Sequence, residues 1–354
     1  MKGKKKISDI DSILLTYLRS ISMLVIMFGH SGGFRLYKPY SEFLHAFVPI
    51  FFFISGVFSY HSFNRSTSVV NYYIKRYSRI LIPYYFTCLI STCIFIVQNK
   101  KLPELNLINI IMWLQITPLE NTMPFPIGQV WFIHTLSLII LISPILIKLV
   151  DNYKLVTLIV LFLLFILSTI QMIIPINRSM FLYGNNLYKP TIYSILFILG
   201  IVFTSTTYLQ NNIFILSCSI CSLILSITIY YLFDINPDYE FHTYSPDIYY
   251  LSGSLFLLFF LIFLKKHLVE IINRLPVVSK ALYFIDKHIY SIFLLHSLAI
   301  YLVEQAIGPV DEMEKTLYYG MIKFTLVFII TIAISVPFSK ITAGASRRLI
   351  RAFS

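Results

Sequence analysis

Apolar residues in this sequence come in long runs separated by short polar stretches, and the runs set the elements to expect. Runs of about 20 residues, the length a helix needs to cross a bilayer, fall at 13–33, 43–63, 77–97, 127–147, 155–175, 190–209, 212–232, 247–264, 282–303 and 317–339. A shorter apolar piece, Leu105–Thr117, stops at Pro118 and reads as a helix lying in the outer interface rather than crossing it. The short alternating segments of a membrane β-barrel do not describe this pattern. The expectation is an all-α, polytopic membrane bundle of about ten transmembrane helices, one domain over residues 1–354, with both termini on the same side.

Composition agrees with the pattern. Of 354 residues, 57% are hydrophobic and 12% charged, against roughly 25% charged in a soluble domain. A soluble enzyme, a disordered chain and a disulfide scaffold are thereby excluded. A net charge of +12 would suggest a nucleic-acid partner in a soluble protein; here its distribution matters more, and no nucleic acid is expected. With the termini in the cytoplasm, 20 of the 28 Lys and Arg residues fall inside and 8 outside, which the positive-inside bias favours over the inverse. The expected location is therefore the cell (plasma or inner) membrane, multi-pass. Met1–Ser12 is basic, but no small-residue cleavage site follows the first apolar run, so that run is read as a retained span.

The cysteines lie in apolar runs. Cys218 and Cys221 have the spacing of a metal or redox pair, yet no second pair or neighbouring histidine supports one, and small apolar-facing thiols are the plainer reading. No Gly-rich phosphate loop, metal-ligand motif or internal repeat is present. The sequence thus points to no metal and no resident cofactor.

Ionisable groups inside spans are expensive and mark function. The first span carries two, Arg19 and His30. Eleven residues separate them, so at 100° per residue they lie within about 20° of one helix face and about 16.5 Å apart along the axis. Arg76 and Arg79 lie three apart, neighbours on one helix face where the third span meets the cytoplasm. Basic residues at such a boundary are expected from topology alone, but the choice of arginine suits bidentate phosphate capture. Together these features fit a donor with a phosphorylated head and a long thin arm, which describes an acyl-coenzyme A. The phosphates would rest on Arg19, Arg76 and Arg79. His30 would serve as general base on an incoming hydroxyl, or take the acyl group itself.

Several segments in order resemble the acyltransferase-3 family of polytopic membrane enzymes. They are Leu18–Ser31 with its Arg19-x10-His30, Val48–Gly56 with its Phe-rich Ser55-Gly56 ending, and Arg76-x-x-Arg79 with Pro83 downstream. Val130-Trp131-Phe132 and Ile292-Phe-Leu-Leu-His296 complete the set. The resemblance implies transfer of an acyl group, usually acetyl, from cytoplasmic acetyl-CoA or another acyl-CoA to a hydroxyl of a cell-surface or lipid-linked glycan such as O-antigen, capsule, exopolysaccharide or peptidoglycan. It also implies His30 as the catalytic residue and Arg19, Arg76 and Arg79 as donor contacts. Some branches carry a glutamate five residues after the span-four tryptophan; this chain has Leu136 there, a departure from those branches.

Other candidates have two readings. Ser31 and Ser55 line the pocket near His30, or, with Gly56, let helices approach closely. Trp131 belongs to an interfacial aromatic belt or touches substrate. His296, deep in the ninth span, is either a satisfied structural histidine or an acceptor-site residue. Outer-loop tyrosines, among them Tyr37, Tyr40, Tyr183, Tyr188, Tyr239, Tyr244, Tyr249 and Tyr250, either stack on sugars or anchor in membrane lipids. The rival function is a transporter or flippase for a lipid-linked sugar or small solute, in which a buried arginine and histidine would form an anion path or proton relay. Paired broken helices in repeated halves would favour it, and the sequence has no clear repeat.

Overall fold

The computed structural model describes residues 8–33, 41–100, 131–182, 185–206, 211–308 and 317–353. The interfacial helix expected at Leu105–Thr117 lies outside these residues, as do Tyr37, Tyr40 and Tyr183 and the flanking cations Lys2, Lys4, Lys5, Lys6, Arg35, Lys38, Lys101 and Lys315. In chain order the helices are α1 (Asp9–His30), a 3-10 turn (Glu42–Phe47), α2 (Val48–Asn64), α3 (Val69–Asn99), α4 (Trp131–Asn152), α5 (Lys154–Ile173), α6 (Tyr188–Ser205), α7 (Asn212–Phe233), α8 (Tyr239–Thr243), α9 (Ile248–Phe263), α10 (Lys265–Asn273), α11 (Pro276–Ile307) and α12 (Leu317–Phe353). A two-residue antiparallel ladder, β1 (Phe181–Leu182) with β2 (Asn185–Asn186), is the β structure among the described residues.

Among the described residues, eight helices have the length and apolarity to cross a membrane: α1, α2 with its preceding turn, α4, α5, α6, α7, α11 and α12. α9 is apolar but has 16 residues, and the 31-residue α3 starts polar and becomes apolar after Arg79. These two occupy the remaining runs of the sequence. Lys323, an outer-side cation by the topology of the runs, lies on α12 with 2% exposure.

Local chemistry sets several boundaries. Ser8 Oγ accepts from the Asp11 amide at 3.1 Å, an N-cap that starts α1, and donates to the Asp11 carboxylate at 2.6 Å. Gly32, at φ +91°, takes the left-handed turn that ends α1 and leaves His30 in its last turn. Ser68, Asn211 and Asp247 cap α3, α7 and α9 in the usual way, each accepting from an amide of the first turn.

The chain forms two compact units, one of residues 1–26, 39–65 and 139–286, the other of residues 27–38, 66–138 and 287–354. In the first, α2 packs on α6 and α7 on α9. Gly56 and Gly200 make the α2–α6 approach possible. A Cβ on Gly56 would sit 2.1 Å from the Phe197 carbonyl oxygen, and one on Gly200 2.0 Å from that of Phe53. The Phe52 and Tyr193 rings stack at 4.4 Å in the same seam. α5 and α7 expose rows of Leu, Ile and Phe, such as Leu158, Phe162, Ile220 and Ile224, the surface expected toward lipid.

In the second unit α3 packs on α12, where Ser346 Oγ donates to the Ser78 carbonyl at 3.0 Å. Tyr290 of α11 donates to the Ile80 carbonyl at 2.8 Å, and Tyr77 of α3 to the Ser137 carbonyl at 2.9 Å. Hydroxyl-to-carbonyl bonds of this kind join apolar helices where hydrophobic contrast with the surroundings is lacking.

Candidate active site

The Arg19 and His30 positions of α1 both meet α11, each within its own unit. In the first unit, Ser20 Oγ donates to the Leu282 carbonyl at 2.7 Å, and Tyr17 bonds to Asn273 Oδ1 at 2.5 Å and Ser279 Oγ at 2.8 Å. There the Arg19 guanidinium reaches Asp286: Nε and Nη2 each lie 2.5 Å from the same carboxylate oxygen, Oδ1. The guanidinium carbon also sits 5.1 Å from the centre of the Phe58 ring.

In the second unit, His30 Nδ1 lies 2.8 Å from His296 Nε2, with ring centroids 5.0 Å apart and planes 16° apart. His296 is fully buried at 0% exposure, whereas His30 is exposed. The protons of the pair follow from one backbone oxygen. His296 Nδ1 lies 2.6 Å from the Phe293 carbonyl, which only accepts, so Nδ1 carries a hydrogen. In the neutral ring Nε2 is then an acceptor, and His30 Nδ1 must donate to it. That assignment leaves the lone pair on His30 Nε2. An imidazole with a free Nε2 and a bonded Nδ1–H has the form of a general base held in one tautomer.

Aromatic contacts surround one member of the pair and the neighbouring turn of α1. Phe293 lies 6.0 Å from the His296 ring and 5.4 Å from Phe132, and Phe28, two residues before His30, meets Phe324 edge-on at 5.5 Å. Trp131 opens α4 half-buried, with its ring 6.2 Å from that of Phe132. Ser31 is buried and donates to the Met27 carbonyl at 2.7 Å, so its hydroxyl is engaged within its own helix turn. Ser55 is half-buried on α2 in the first unit, next to the Gly56 contact. Arg76 is half-buried and Arg79 exposed on α3, in the second unit.

Of the residues singled out in the sequence, His30 and His296 are thus brought into direct contact. Asp286, the partner of Arg19, is not among those residues. Its signal is an acid five residues into the ninth apolar run, a position as costly as that of Arg19. Lys323 and Glu304 also escape a reading of the sequence; Lys323 Nζ donates to Glu304 Oε1 at 2.7 Å, and the lysine side chain is 2% exposed.

Residues 13–340 match a family model described as an acyltransferase domain. No curated protein and no solved structure matches the chain.

Proposed function

The chain belongs to the acyltransferase-3 family, and from that premise we propose that it is a membrane O-acetyltransferase using His30 as its base. It would take acetyl from cytoplasmic acetyl-CoA and deliver it to a hydroxyl of a cell-surface or lipid-linked glycan. The observation that carries this reading is the His30–His296 pair: the imidazole of a residue at the end of α1 whose Nδ1–H is bonded to a buried histidine, itself anchored on a backbone carbonyl.

The reaction balances on these groups. His30 Nε2 accepts the proton of the acceptor hydroxyl as its oxygen attacks the thioester carbonyl. The tetrahedral centre collapses with cleavage of the C–S bond, and the imidazolium returns its proton to the departing thiolate. The products are the O-acetyl ester and free CoA, and His30 is restored. Positive charge that develops on His30 is shared through Nδ1–H with His296 Nε2, so the buried partner acts in the protonated state as well as in setting the tautomer. Arg19, Arg76 and Arg79 would each contact a phosphate of the donor.

The test is direct. Purified protein in lipid vesicles, given acetyl-labelled acetyl-CoA and surface polysaccharide fractions, should label a polysaccharide and release CoA with the same time course. Label retained on CoA in every fraction, from protein that melts cooperatively, would overturn the reading. Uptake of an unmodified solute by the same vesicles would favour transport instead.

A further inference from the structure

Arg19 is held in two directions at once. One edge of the guanidinium, Nε and Nη2, is engaged by Asp286 Oδ1, both at 2.5 Å. The plane is set against Phe58, whose ring centre lies 5.1 Å from the guanidinium carbon. Asp286 is the polar partner of this side chain among the described residues, Arg19 remains 25% exposed, and no described group bonds its other edge, Nη1 with the second Nη2 proton. That end-on fork is the edge with the geometry for two parallel bonds to a phosphate.

We propose that Asp286 is a positioning residue that aims the Arg19 fork at an anionic phosphate of the acyl donor. The inference rests on the reading of Arg19 as a donor contact. An arginine free on its long stem would lose rotamer freedom on each binding event; one clamped at the Nε edge and face has already lost it. A carboxylate is also the partner that lets a guanidinium persist inside an apolar helix pair without leaving a bare charge. The placement of Asp286 is itself secured: Leu282, one turn earlier on α11, accepts the Ser20 bond at 2.7 Å that ties the two helices together at this level.

Binding of CoA, the unreactive product, reports on this site without the chemistry. Asp286→Asn should weaken CoA binding and raise the KM for acetyl-CoA about tenfold, as expected when one charge-assisted interaction is no longer aligned, with kcat changed less than twofold. Asp286→Glu should recover part of the affinity. The reciprocal exchange, Arg19→Asp with Asp286→Arg, separates positioning from simple pairing. It should restore the melting temperature that falls in either single variant yet leave CoA binding weak, because the cation then projects from α11. Full recovery of CoA affinity in the exchanged protein, or unchanged affinity in Asp286→Asn, overturns the proposal; if neither Asp286 variant folds, the exchange alone decides it. Arg19→Ala distinguishes the underlying reading: unchanged CoA binding there removes Arg19 from the donor site, whereas weak binding there with normal binding in Asp286→Asn removes Asp286 alone.

Discussion

His296 donates from Nδ1 to the Phe293 carbonyl at 2.6 Å and accepts at Nε2, across 2.8 Å, from His30. One backbone oxygen therefore decides which nitrogen of His30 is basic, two hydrogen bonds away. Removal of His30 and removal of His296 should consequently differ in kind. His30→Ala removes the base and should lower kcat by about 10²–10⁴ with normal expression, the span typical of positioned proton transfer.

His296→Ala leaves the base but frees its tautomer and its ring orientation. The expected result is a smaller fall, about 10- to 100-fold, confined to kcat with the KM for acetyl-CoA unchanged. Steady-state kinetics on both variants checks this. A His296→Ala enzyme with full kcat would show that the buried imidazole is structural.

Arg76 and Arg79 lie three apart on α3, one half-buried and one exposed. Replacing both with alanine should raise the KM for acetyl-CoA by about tenfold or more, since an arginine's hydrogen bonds to phosphate are charge-assisted, and leave kcat and the glycan KM near their original values. A rise confined to the glycan KM would assign the pair to the acceptor.

Most of the fold is legible in the sequence because run length is physically tied to bilayer thickness. The run at 212–232 is α7 at 212–233, and that at 155–175 is α5 at 154–173. Helical periodicity also places Arg19 and His30 on one face, and both do meet α11. Their partners are another matter. Asp286 and His296 lie more than 260 residues away in the chain, and helical periodicity carries no information about which helix will be the neighbour. The partner of Lys323 is hidden for a related reason: Glu304 lies on another helix, and an apolar run does not show which acid neutralises a cation within it. The amphipathic α10, Lys265–Asn273, falls between two apolar runs, and its nine residues are too few for helical periodicity to stand out.

Ser55 and Gly56 form one motif in the sequence, and in the structure Gly56 sits at the α2–α6 contact. A Cβ at position 56 would meet the Phe197 carbonyl oxygen at 2.1 Å, and this atom belongs to the α6 backbone and cannot rotate away. Gly56→Ala and Gly200→Ala should each destabilise the protein by the upper part of the about 1–3 kcal/mol typical of overpacking, while Ser55→Ala should cost much less. Melting temperatures in one detergent give the comparison. Equal stability of the Gly56→Ala variant would show that α2 and α6 do not approach this closely.

Lys323 and Glu304 make a pair in which one member is nearly enclosed, with side-chain exposures of 2% and 33%. Removing the acid alone strands a buried ammonium, whereas removing both charges does not. Glu304→Ala should therefore cost about 3–5 kcal/mol, and the double variant Glu304→Leu with Lys323→Met should recover most of it. A double-mutant cycle on unfolding free energy measures the coupling, and additive losses would show that the pair is not an energetic unit.

His242 offers a pH dependence whose sign follows from its surroundings. Burial alone pulls the imidazole's pKa down, but the hydrogen bond and charge of Asp247 Oδ2, 2.6 Å from Nδ1, together with the Asn236 carbonyl 2.9 Å from Nε2 and the charge of nearby Asp238, raise it above its ordinary value. Both ring nitrogens face acceptors, an arrangement that the imidazolium satisfies and the neutral ring does not. Because the folded-state pKa is raised, the stabilisation is fully present below the unfolded value of about 6.5 and disappears as pH rises through the higher folded value. Asp247 also caps α9 by accepting from the Tyr250 amide at 3.0 Å, so the pair ties the α8 segment to the start of that helix. Wild-type protein should lose melting temperature relative to His242→Gln as pH rises above about 6.5, the variant having no charge to lose. A constant difference across that range would show that folding does not raise the pKa of His242.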